Sequence, residues 1–392
     1  RFGDNMSNNL IIGYTSINRM RNLDDYGPLF PHIDIYEGGN VIRAGSQRSS
    51  VGNVLEQGIG QLTNNFTIFK NKHVITFGTH NEWFHIYNSF VNRYNGHYEF
   101  FGGLSDFLGD TFSGNSNNRF RVAYSLDYFN DRFQPADLNF LQTGFYVQDE
   151  WEVNNQLKLT GGLRVDIPIF IDKPVYNPLF EQEFGRNTSN VPSGQLLWSP
   201  RLGFNYDVKD DQSLQLRGGV GIFTGRVPFV WISNAYTNAG ATISTLSVRG
   251  NSGSVGNVPF YPSDGDRTYE AYIANELGVG IDDPAVRTEI ENRQASAPTS
   301  QIDALDEKLK MPQNLRTNLA MDAALPWGMT GTFEAIYTKT INGIKYDNLQ
   351  VPAADGTIPS EENRPTYSTN RINTNFFDVF LLENTNKGYQ YS

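Results

Sequence analysis

The sequence contains no cysteine among its 392 residues, which excludes disulfide bonds, thiolate metal ligands and a thiol nucleophile. It also has no run of about 18 apolar residues, so it offers no transmembrane helix. Basic residues are in deficit, because 31 lysines and arginines stand against 42 acidic residues and leave a net charge of −11. A nucleic-acid partner would need a clustered basic face, so this deficit argues against one.

Catalytic motifs are also missing. The sequence has no HExxH zinc motif, no GxSxG nucleophile elbow and no GxxxxGK[ST] phosphate loop. Four of the five histidines lie close together, at His73, His80, His85 and His97, and His80 shares a polar strand face with Glu82. A weak metal or proton site is one interpretation, but a solvated strand face is favoured. We therefore predict a protein that is not an enzyme, with no cofactor and no metal site.

Residues 156–167 alternate apolar and polar side chains almost strictly. Leu157, Leu163 and Val165 fall on one side of an extended chain, whereas Lys158 and Arg164 fall on the other. A period of two predicts a β-strand with one apolar and one polar face. The same pattern predicts ten strands, at residues 8–16, 58–69, 73–84, 142–153, 156–167, 199–208, 213–223, 313–325, 329–340 and 376–383.

The connections between these strands are of two kinds. Short connections rich in turn-forming residues lie at 70–72, 154–155, 209–212 and 326–328. Long and mostly polar connections lie at 17–57, 85–141, 168–198, 224–312 and 341–375. Structureless loops of such length are uncommon inside a compact soluble domain. Short turns at one end and long loops at the other are typical of an outer-membrane β-barrel, whose long loops are extracellular.

The positions of tryptophan agree with a membrane wall. Trp151 and Trp327 lie beside short turns, whereas Trp83 and Trp198 lie at the long-loop ends of their strands. Barrels carry girdles of aromatic residues at both membrane interfaces, which predicts this placement. The alternative is a soluble β-sandwich with tryptophan in its core, but a sandwich does not explain the two kinds of connection.

The long connections are predicted to contain some structure of their own. Residues 94–101 and 120–129 are predicted to form an extracellular hairpin. The strand at 73–84 leads away from a short turn and the strand at 142–153 leads toward one, so only an even number of membrane crossings can lie between them. Asp283 followed by Pro284 resembles the start of a helix, which predicts one at 285–294. A second helix is predicted at 302–310.

Several stretches resemble a known family. QTGFYVQDEWEVNNQLKLTGGLRVD, at residues 142–166, resembles the barrel of TonB-dependent outer-membrane receptors. SPRLGFNYDV at 199–208 and LRGGVGIFTGRVPFVWISNAYTNAG at 216–240 are similar to the Oar-like receptors of Bacteroidota, as is FTIFKNKHVITFGTHNEWF at 66–84. The resemblance covers most of the chain. It implies a barrel of about 22 strands around an N-terminal plug, with uptake driven by the TonB system.

We therefore expect an all-β fold that is part of a large antiparallel transmembrane β-barrel, about 10 of about 22 strands, with long extracellular loops. Residues 1–392 are predicted to be a partial receptor barrel without a plug domain, because no plug sequence or TonB-contacting box is recognised and the chain starts at Arg1. The implied partners are outer-membrane lipid, the TonB system acting through the plug, and a substrate of unknown identity. The expected location is the bacterial outer membrane.

One segment is the best candidate for contact with a ligand. Aromatic and polar side chains mix just beyond the strand at 213–223, and the substrate-binding residues predicted there are Arg226, Phe229, Trp231, Asn234 and Tyr236. Aromatic faces stack on sugars or pack on peptide side chains, and polar groups fix their orientation. The alternative role, compatible with the first, is a loop that folds over the plug or across the lumen.

The leading functional hypothesis is an outer-membrane TonB-dependent receptor that binds a substrate in its extracellular loops and passes it through the barrel. One alternative is a non-transporting outer-membrane barrel that serves adhesion or the assembly of surface machinery. Another is a secreted β-rich protein, either an enzyme or a glycan-binding module. The identity of the substrate stays open, because mixed-charge loops rich in aromatics suit glycans, peptides and metal chelates alike.

Overall fold

The computed structural model describes residues 2–20, 30–49, 52–109, 114–130, 134–240, 242–250, 267–296, 301–359, 362–367, 371–376 and 378–392. Within these ranges the chain forms nineteen strands and five α-helices. The strands are β1 (Met6–Met20), β2 (His32–Glu37), β3 (Asn40–Ala44), β4 (Gly52–Lys70), β5 (His73–Val91), β6 (His97–Phe100), β7 (Arg119–Ser125), β8 (Ala136–Glu152), β9 (Leu157–Phe170), β10 (Leu197–Asp207), β11 (Leu214–Thr224), β12 (Ile243–Arg249), β13 (Gln301–Leu305), β14 (Gln313–Ala324), β15 (Thr330–Asn348), β16 (Gly356–Thr357), β17 (Pro365–Thr366), β18 (Asp378–Thr385) and β19 (Tyr389–Tyr391). The helices are α1 (Gly103–Leu108), α2 (Pro178–Phe184), α3 (Phe229–Thr237), α4 (Thr268–Leu277) and α5 (Pro284–Ser296).

Nine long strands form one continuous antiparallel sheet, which we call the wall sheet. Its order is β1-β4-β5-β8-β9-β10-β11-β14-β15, so each strand pairs with the next long strand along the chain. Within the described residues the sheet does not close on itself. This up-and-down order confirms the predicted antiparallel barrel architecture.

All four predicted short turns join neighbouring wall strands at the same end of the sheet. β4 and β5 are linked through Asn71, which has a left-handed φ of 54°. The turn between β10 and β11 has φ values of 63° at Asp210 and 61° at Gln212. Asparagine and aspartate tolerate this region better than most residues, which suits them to tight turns between strands.

The two faces of the wall sheet differ as the alternation predicts. On the outer face, large apolar side chains stay exposed, including Leu202 at 66% and Leu319 at 56%. On the inner face, Tyr146 lies opposite Arg164 in register, and Asp166 is buried. An exposed apolar face backed by a polar inner face is the pattern of a lipid-facing wall.

The wall strands are longer than predicted. β4 and β5 have 19 residues each, which corresponds to roughly 60 Å at the usual rise of about 3.3 Å per residue. A bilayer core is only about 30 Å thick, so these strands project well beyond it. The predicted end at residue 84 is wrong because the inner face becomes apolar there. Phe84 and Ile86 point inward and are each 1% exposed.

The tenth predicted strand is present, but it does not cross at membrane level where expected. β18 pairs with the outer extension of β15, at residues 343–348. Its inner side chains Val379 and Leu381 are buried in a small core with Phe180. The chain then continues to β19, which pairs with residues 337–339 of β15 lower in the wall sheet.

A second sheet lies within the long connections, and we call it the loop sheet. Its strand order is β12-β7-β6-β2-β3, with strands drawn from three different connections. β6 and β7 pair antiparallel, which confirms the predicted hairpin, whereas β2, β3 and β12 were not predicted. The core between this sheet and helices α4 and α5 contains Phe120, Tyr269 and Ile290. The long connections are therefore folded.

One of the two predicted helices is confirmed. α5 includes residues 285–294, and the Asp283 carboxylate accepts a hydrogen bond from the Ala285 amide at 2.8 Å. The helix predicted at 302–310 is wrong, since residues 301–305 form β13 and pair in parallel with β18. None of the described helices has the length and apolar character needed to cross a membrane.

Candidate ligand-binding site at the barrel mouth

Helix α3 covers the inner face of the wall sheet at its long-loop end. The chain leaves β11 at Thr224 and turns at Pro228, whose fixed φ suits the start of a helix. Phe229 packs on Phe84, with ring centroids 4.6 Å apart, and Ile232 is fully buried. The apolar side chains on the inner face of β5 and β8 therefore form the surface on which this helix packs.

Two hydrogen bonds fix the position of α3. The Asn88 amide on β5 donates to the Ser233 hydroxyl at 2.7 Å, and both groups are buried. The Tyr236 hydroxyl donates to the Asp172 carbonyl at 2.7 Å. Burial raises the pKa of Tyr236 well above its usual range, so the phenol stays protonated and keeps this bond.

The five predicted ligand-contact residues divide into two groups. Arg226 and Trp231 are exposed and Asn234 is half-buried, so these three are open to a ligand. Phe229 and Tyr236 pack in the core below the helix. The structure thus assigns Phe229 and Tyr236 to anchoring α3, because their rings and the tyrosine hydroxyl are already in contact with the wall.

Sequence reasoning missed a neighbour of this surface, Tyr346 on the outer extension of β15. Its ring meets Trp231 edge-on at 5.7 Å, and its hydroxyl donates to the Trp231 carbonyl at 3.3 Å. Tyr346 is 37% exposed, so the aromatic pair presents an open surface. The strand was predicted to end at residue 340, six residues too early for Tyr346 to be recognised on it.

A line of polar groups runs inward from Arg226. Its guanidinium contacts the Glu82 carboxylate and lies over the Phe84 ring at 5.2 Å. Glu82 is 7% exposed and lies 3.4 Å from Nε2 of His80. Nδ1 of His80 is 2.7 Å from the Thr63 hydroxyl. The predicted pairing of His80 with Glu82 on one face is confirmed, and both belong to this chain of contacts.

A second ion pair lies beside the first. Arg164 donates to both carboxylate oxygens of Asp166 at 2.9 Å, and its guanidinium lies over the Tyr146 ring at 5.3 Å. Gly144 makes room for this pair, because a Cβ there would come within 2.5 Å of Arg164 Nη2 and 2.7 Å of Asp166 Oδ1. A side chain at residue 144 would therefore displace the pair.

The two ion pairs border a polar cavity of about 400 Å³ beside residues 224–226, the segment that leads into α3. It is lined by His80, Gln142, Tyr146, Arg164, Asp166, Thr224, Gly225 and Arg226. Gln142 is 7% exposed, and its Oε1 has no hydrogen-bond partner among the described residues. The cavity thus offers donors and acceptors of both charges, which suits reversible binding of a polar ligand.

The remaining histidines of the sequence cluster lie elsewhere. Nδ1 of His73 is 2.7 Å from Asp149 on the outer face of the wall sheet. His85 faces Asp137 at 3.6 Å, and His97 lies in the loop sheet. The four histidines that are neighbours in sequence therefore do not form one site.

Comparison with known proteins gives a family and a fold. A family described as outer membrane beta barrel domain matches residues 2–390. No curated protein matches the chain in sequence.

Several solved structures are similar to the chain. The outer membrane transporter YddB from Escherichia coli is 12% identical with a TM-score of 0.45, and the match covers 99% of this chain and 36% of the YddB chain. A variant of the ferric enterobactin receptor PfeA from Pseudomonas aeruginosa is 10% identical with a TM-score of 0.42, covering 99% of this chain and 38% of its own. The FrpB iron transporter from Neisseria meningitidis is 10% identical with a TM-score of 0.41, and the match covers 98% of this chain and 37% of the FrpB chain. The chain thus spans little more than a third of each.

Proposed function

The chain belongs to the family of outer membrane beta barrel domains and lies in the bacterial outer membrane; from this premise we propose that it is part of a TonB-dependent receptor that binds a substrate at its extracellular mouth. In this proposal residues 1–392 supply part of the barrel wall, the vestibule and the extracellular loops. The outer face of the wall sheet contacts outer-membrane lipid. The substrate passes through the barrel, and the TonB system supplies the free energy through a plug domain.

The observation that supports this proposal most is the placement of α3. A helix from the longest connection folds back over the inner face of the wall, and the segment that leads into it, residues 224–226, lines the polar cavity. A ligand held by exposed residues of α3 is therefore already at the entrance to the lumen. Ligand sites in β-barrels occur preferentially in such mouths.

The binding surface consists of Arg226, Trp231 and Asn234, together with Tyr346. The aromatic pair offers a face for a sugar ring or an apolar side chain, and Arg226 offers a cation at the rim of the cavity. Phe229 and Tyr236 contribute indirectly, because they hold the helix that carries the other residues. This arrangement favours a polar ligand with at least one flat or apolar part.

The motifs at residues 66–84, 199–208 and 216–240 support assignment to the Oar-like type of Bacteroidota within the TonB-dependent receptors. A second function, a non-transporting barrel for adhesion or surface assembly, is favoured by one observation. The loop sheet has its own core and is built like a folded module, which suits contact with another macromolecule. Outer-membrane location rules against the secreted β-rich alternative.

The binding part of the proposal is tested with the full-length receptor purified in detergent. A panel of ferric chelates, short peptides and oligosaccharides is titrated calorimetrically against the wild type, Trp231→Ala and Arg226→Ala. We expect each substitution to weaken a bound panel member by about 1–3 kcal/mol, the range for losing one aromatic or charged contact. Trp198→Ala is the matched control, because Trp198 is also an exposed tryptophan but lies on the outer face.

Transport is tested separately, by uptake of the bound compound into cells with and without a functional TonB system. Uptake that requires TonB supports the receptor. Binding that persists while no uptake occurs in either strain favours the non-transporting barrel. Binding that is equal in wild type and both mouth variants contradicts the placement of the site.

A further inference from the structure

Three side chains able to bind a metal meet inside the loop sheet, away from the barrel mouth. His32 and Asp34 are two residues apart on β2 and share a face, and His97 lies opposite His32 on the neighbouring parallel strand β6. All three are buried, and His97 is fully so. One potential ligand atom from each residue lies within 4.8 Å of the others, and no other group in the described ranges meets this condition.

The ring of His32 points its Nε2 atom toward a carboxylate. Its Nδ1 lies 2.9 Å from the Ser46 carbonyl, which can only accept, so Nδ1 carries the proton. In the neutral ring Nε2 is then an acceptor, yet it faces Oδ1 of Asp34 at 3.3 Å. Two acceptors at this distance repel each other, so the contact is stable only if Nε2 is protonated or a cation lies between the two atoms. A carbonyl bound to the outer nitrogen is also the usual way to orient a metal-binding histidine.

We propose that Nε2 of His32, Nε2 of His97 and a carboxylate oxygen of Asp34 bind Zn²⁺. Nε2 of His97 lies 3.0 Å from Oδ2 of Asp34. A tetrahedral zinc ion with bonds of about 2.0 Å holds its ligand atoms about 3.3 Å apart. Each histidine Nε2 lies close to that distance from the Asp34 oxygen nearest to it, which is Oδ1 for His32 and Oδ2 for His97. Two imidazoles and one carboxylate, without thiolates, favour zinc over calcium or magnesium, which prefer oxygen ligands.

Two arginines set the cost of binding. Arg43 donates to Oδ1 of Asp34 at 3.1 Å, but its side chain is 69% exposed, so it can move into solvent as the ion takes its place. Arg93 donates to Nδ1 of His97 over 3.4 Å. A ligating His97 carries its proton on Nδ1, so that long hydrogen bond is lost. Nearby Arg121 is paired with Glu99 and adds no net charge.

The bound ion joins two separate loops. β2 belongs to the connection between β1 and β4, and β6 belongs to the connection between β5 and β8. A ligand set shared between them resists their separation, since binding to the folded state stabilises it by mass action. Arg43 belongs to the exposed strand β3, so the space beside Asp34 is open to solvent once this side chain moves away.

The test uses the full-length receptor, stripped with chelator and titrated with Zn²⁺ against a competing chromophoric chelator. We expect one high-affinity zinc per chain. X-ray absorption spectra at the zinc edge should show two imidazole nitrogens bound to the ion. Asp34→Asn and His97→Gln should each weaken binding more than about tenfold, the loss caused even by outer partners of zinc sites. Arg43→Gln should tighten binding roughly two- to fivefold, because it removes an exposed competing cation.

His85→Ala is the matched control, since His85 also faces an aspartate but has no second histidine beside it. Its zinc affinity should equal that of the wild type. Zinc should also raise the melting temperature of the wild type but not of His97→Gln, which separates loss of the site from loss of folding. Absence of bound zinc in the folded wild type, or zinc binding unchanged in both Asp34→Asn and His97→Gln, overturns the proposal.

Discussion

At the residue scale, the two buried carboxylates on the inner face of the wall sheet beside the cavity, Glu82 and Asp166, are each paired with an arginine. Arg226 contacts Glu82, and Arg164 binds Asp166 through both carboxylate oxygens. Pairing lets each charge stay partly buried, because an unpaired charge in this position would carry a large desolvation cost. The inner face is therefore an ordered polar surface with a defined cavity.

Gly144 is predicted to be essential to that order. Gly144→Ala places a methyl group against the Arg164–Asp166 pair and should destabilise the protein by about 1–3 kcal/mol, the usual cost of overpacking. The measurement is the free energy of unfolding in urea, together with ligand affinity at the mouth. Gly161→Ala is the control, because its new Cβ meets only Leu202 at an ordinary 3.5 Å. Equal stability of the two variants would contradict the account of Gly144.

Asp303 predicts a pH dependence of stability. Burial raises its pKa to about 6, although Asn238 and Gln301 donate hydrogen bonds to it. Because the folded pKa lies above the unfolded one, near 4, the stabilising contribution is complete below about pH 4 and is lost as the pH rises through 6. Asparagine carries no charge, so Asp303→Asn removes this pH-dependent loss of stability.

We expect Asp303→Asn to be more stable than wild type at pH 7.5 by up to roughly 3 kcal/mol and to lose that advantage toward pH 4. Urea unfolding at both pH values measures the difference. Asp355→Asn, at an exposed carboxylate, should show no such pH-dependent gain. A constant difference between wild type and Asp303→Asn across this range would refute the linkage.

At the scale of single elements, α3 depends on the apolar patch beneath it. Phe84→Ala removes a fully buried ring that contacts both Phe140 and Phe229. The local opening free energy of α3 should fall by roughly 3 kcal/mol or more, as for other buried phenylalanines. Hydrogen exchange of the α3 amides measures this. Phe77→Ala is the control on the same strand, where the ring faces outward and is 48% exposed, and α3 should exchange as in wild type. Equal α3 exchange rates in both variants would show that the helix does not rest on Phe84.

The wall strands could be predicted from sequence where one face meets lipid and the other meets water, since that contrast produces the alternation. The prediction stopped early where the contrast ends, as at Phe84, whose inward ring breaks the pattern. Residues 302–310 were predicted to be helical because their local sequence allows it. Their actual state depends on pairing with β18, a contact 70 or more residues away that local sequence does not reveal.

At the scale of the whole molecule, the residues of the proposed site differ in how far the sequence alone can indicate them. Arg226, Trp231 and Asn234 are predicted ligand contacts because aromatic and polar residues are concentrated in one segment. Tyr346 and the zinc ligands His32 and Asp34 are not, since each acquires its partners only when different connections come together. The loop sheet combines three connections, and such long-range pairing leaves no periodic signal in any one of them.

The central claim is that the odd-numbered residues of β9 face lipid and the even-numbered ones face the barrel interior. Residues 1–392 contain no cysteine, so a single cysteine introduced from residue 157 to 165 is the only one in this part of the protein and can be spin-labelled there. In the full-length protein in bilayers, we expect high oxygen accessibility at Leu157, Leu159 and Leu163 and low accessibility at Lys158 and Arg164. Labels at those leucines that are shielded from both oxygen and water-soluble nickel would place them in a closed protein core and contradict the account.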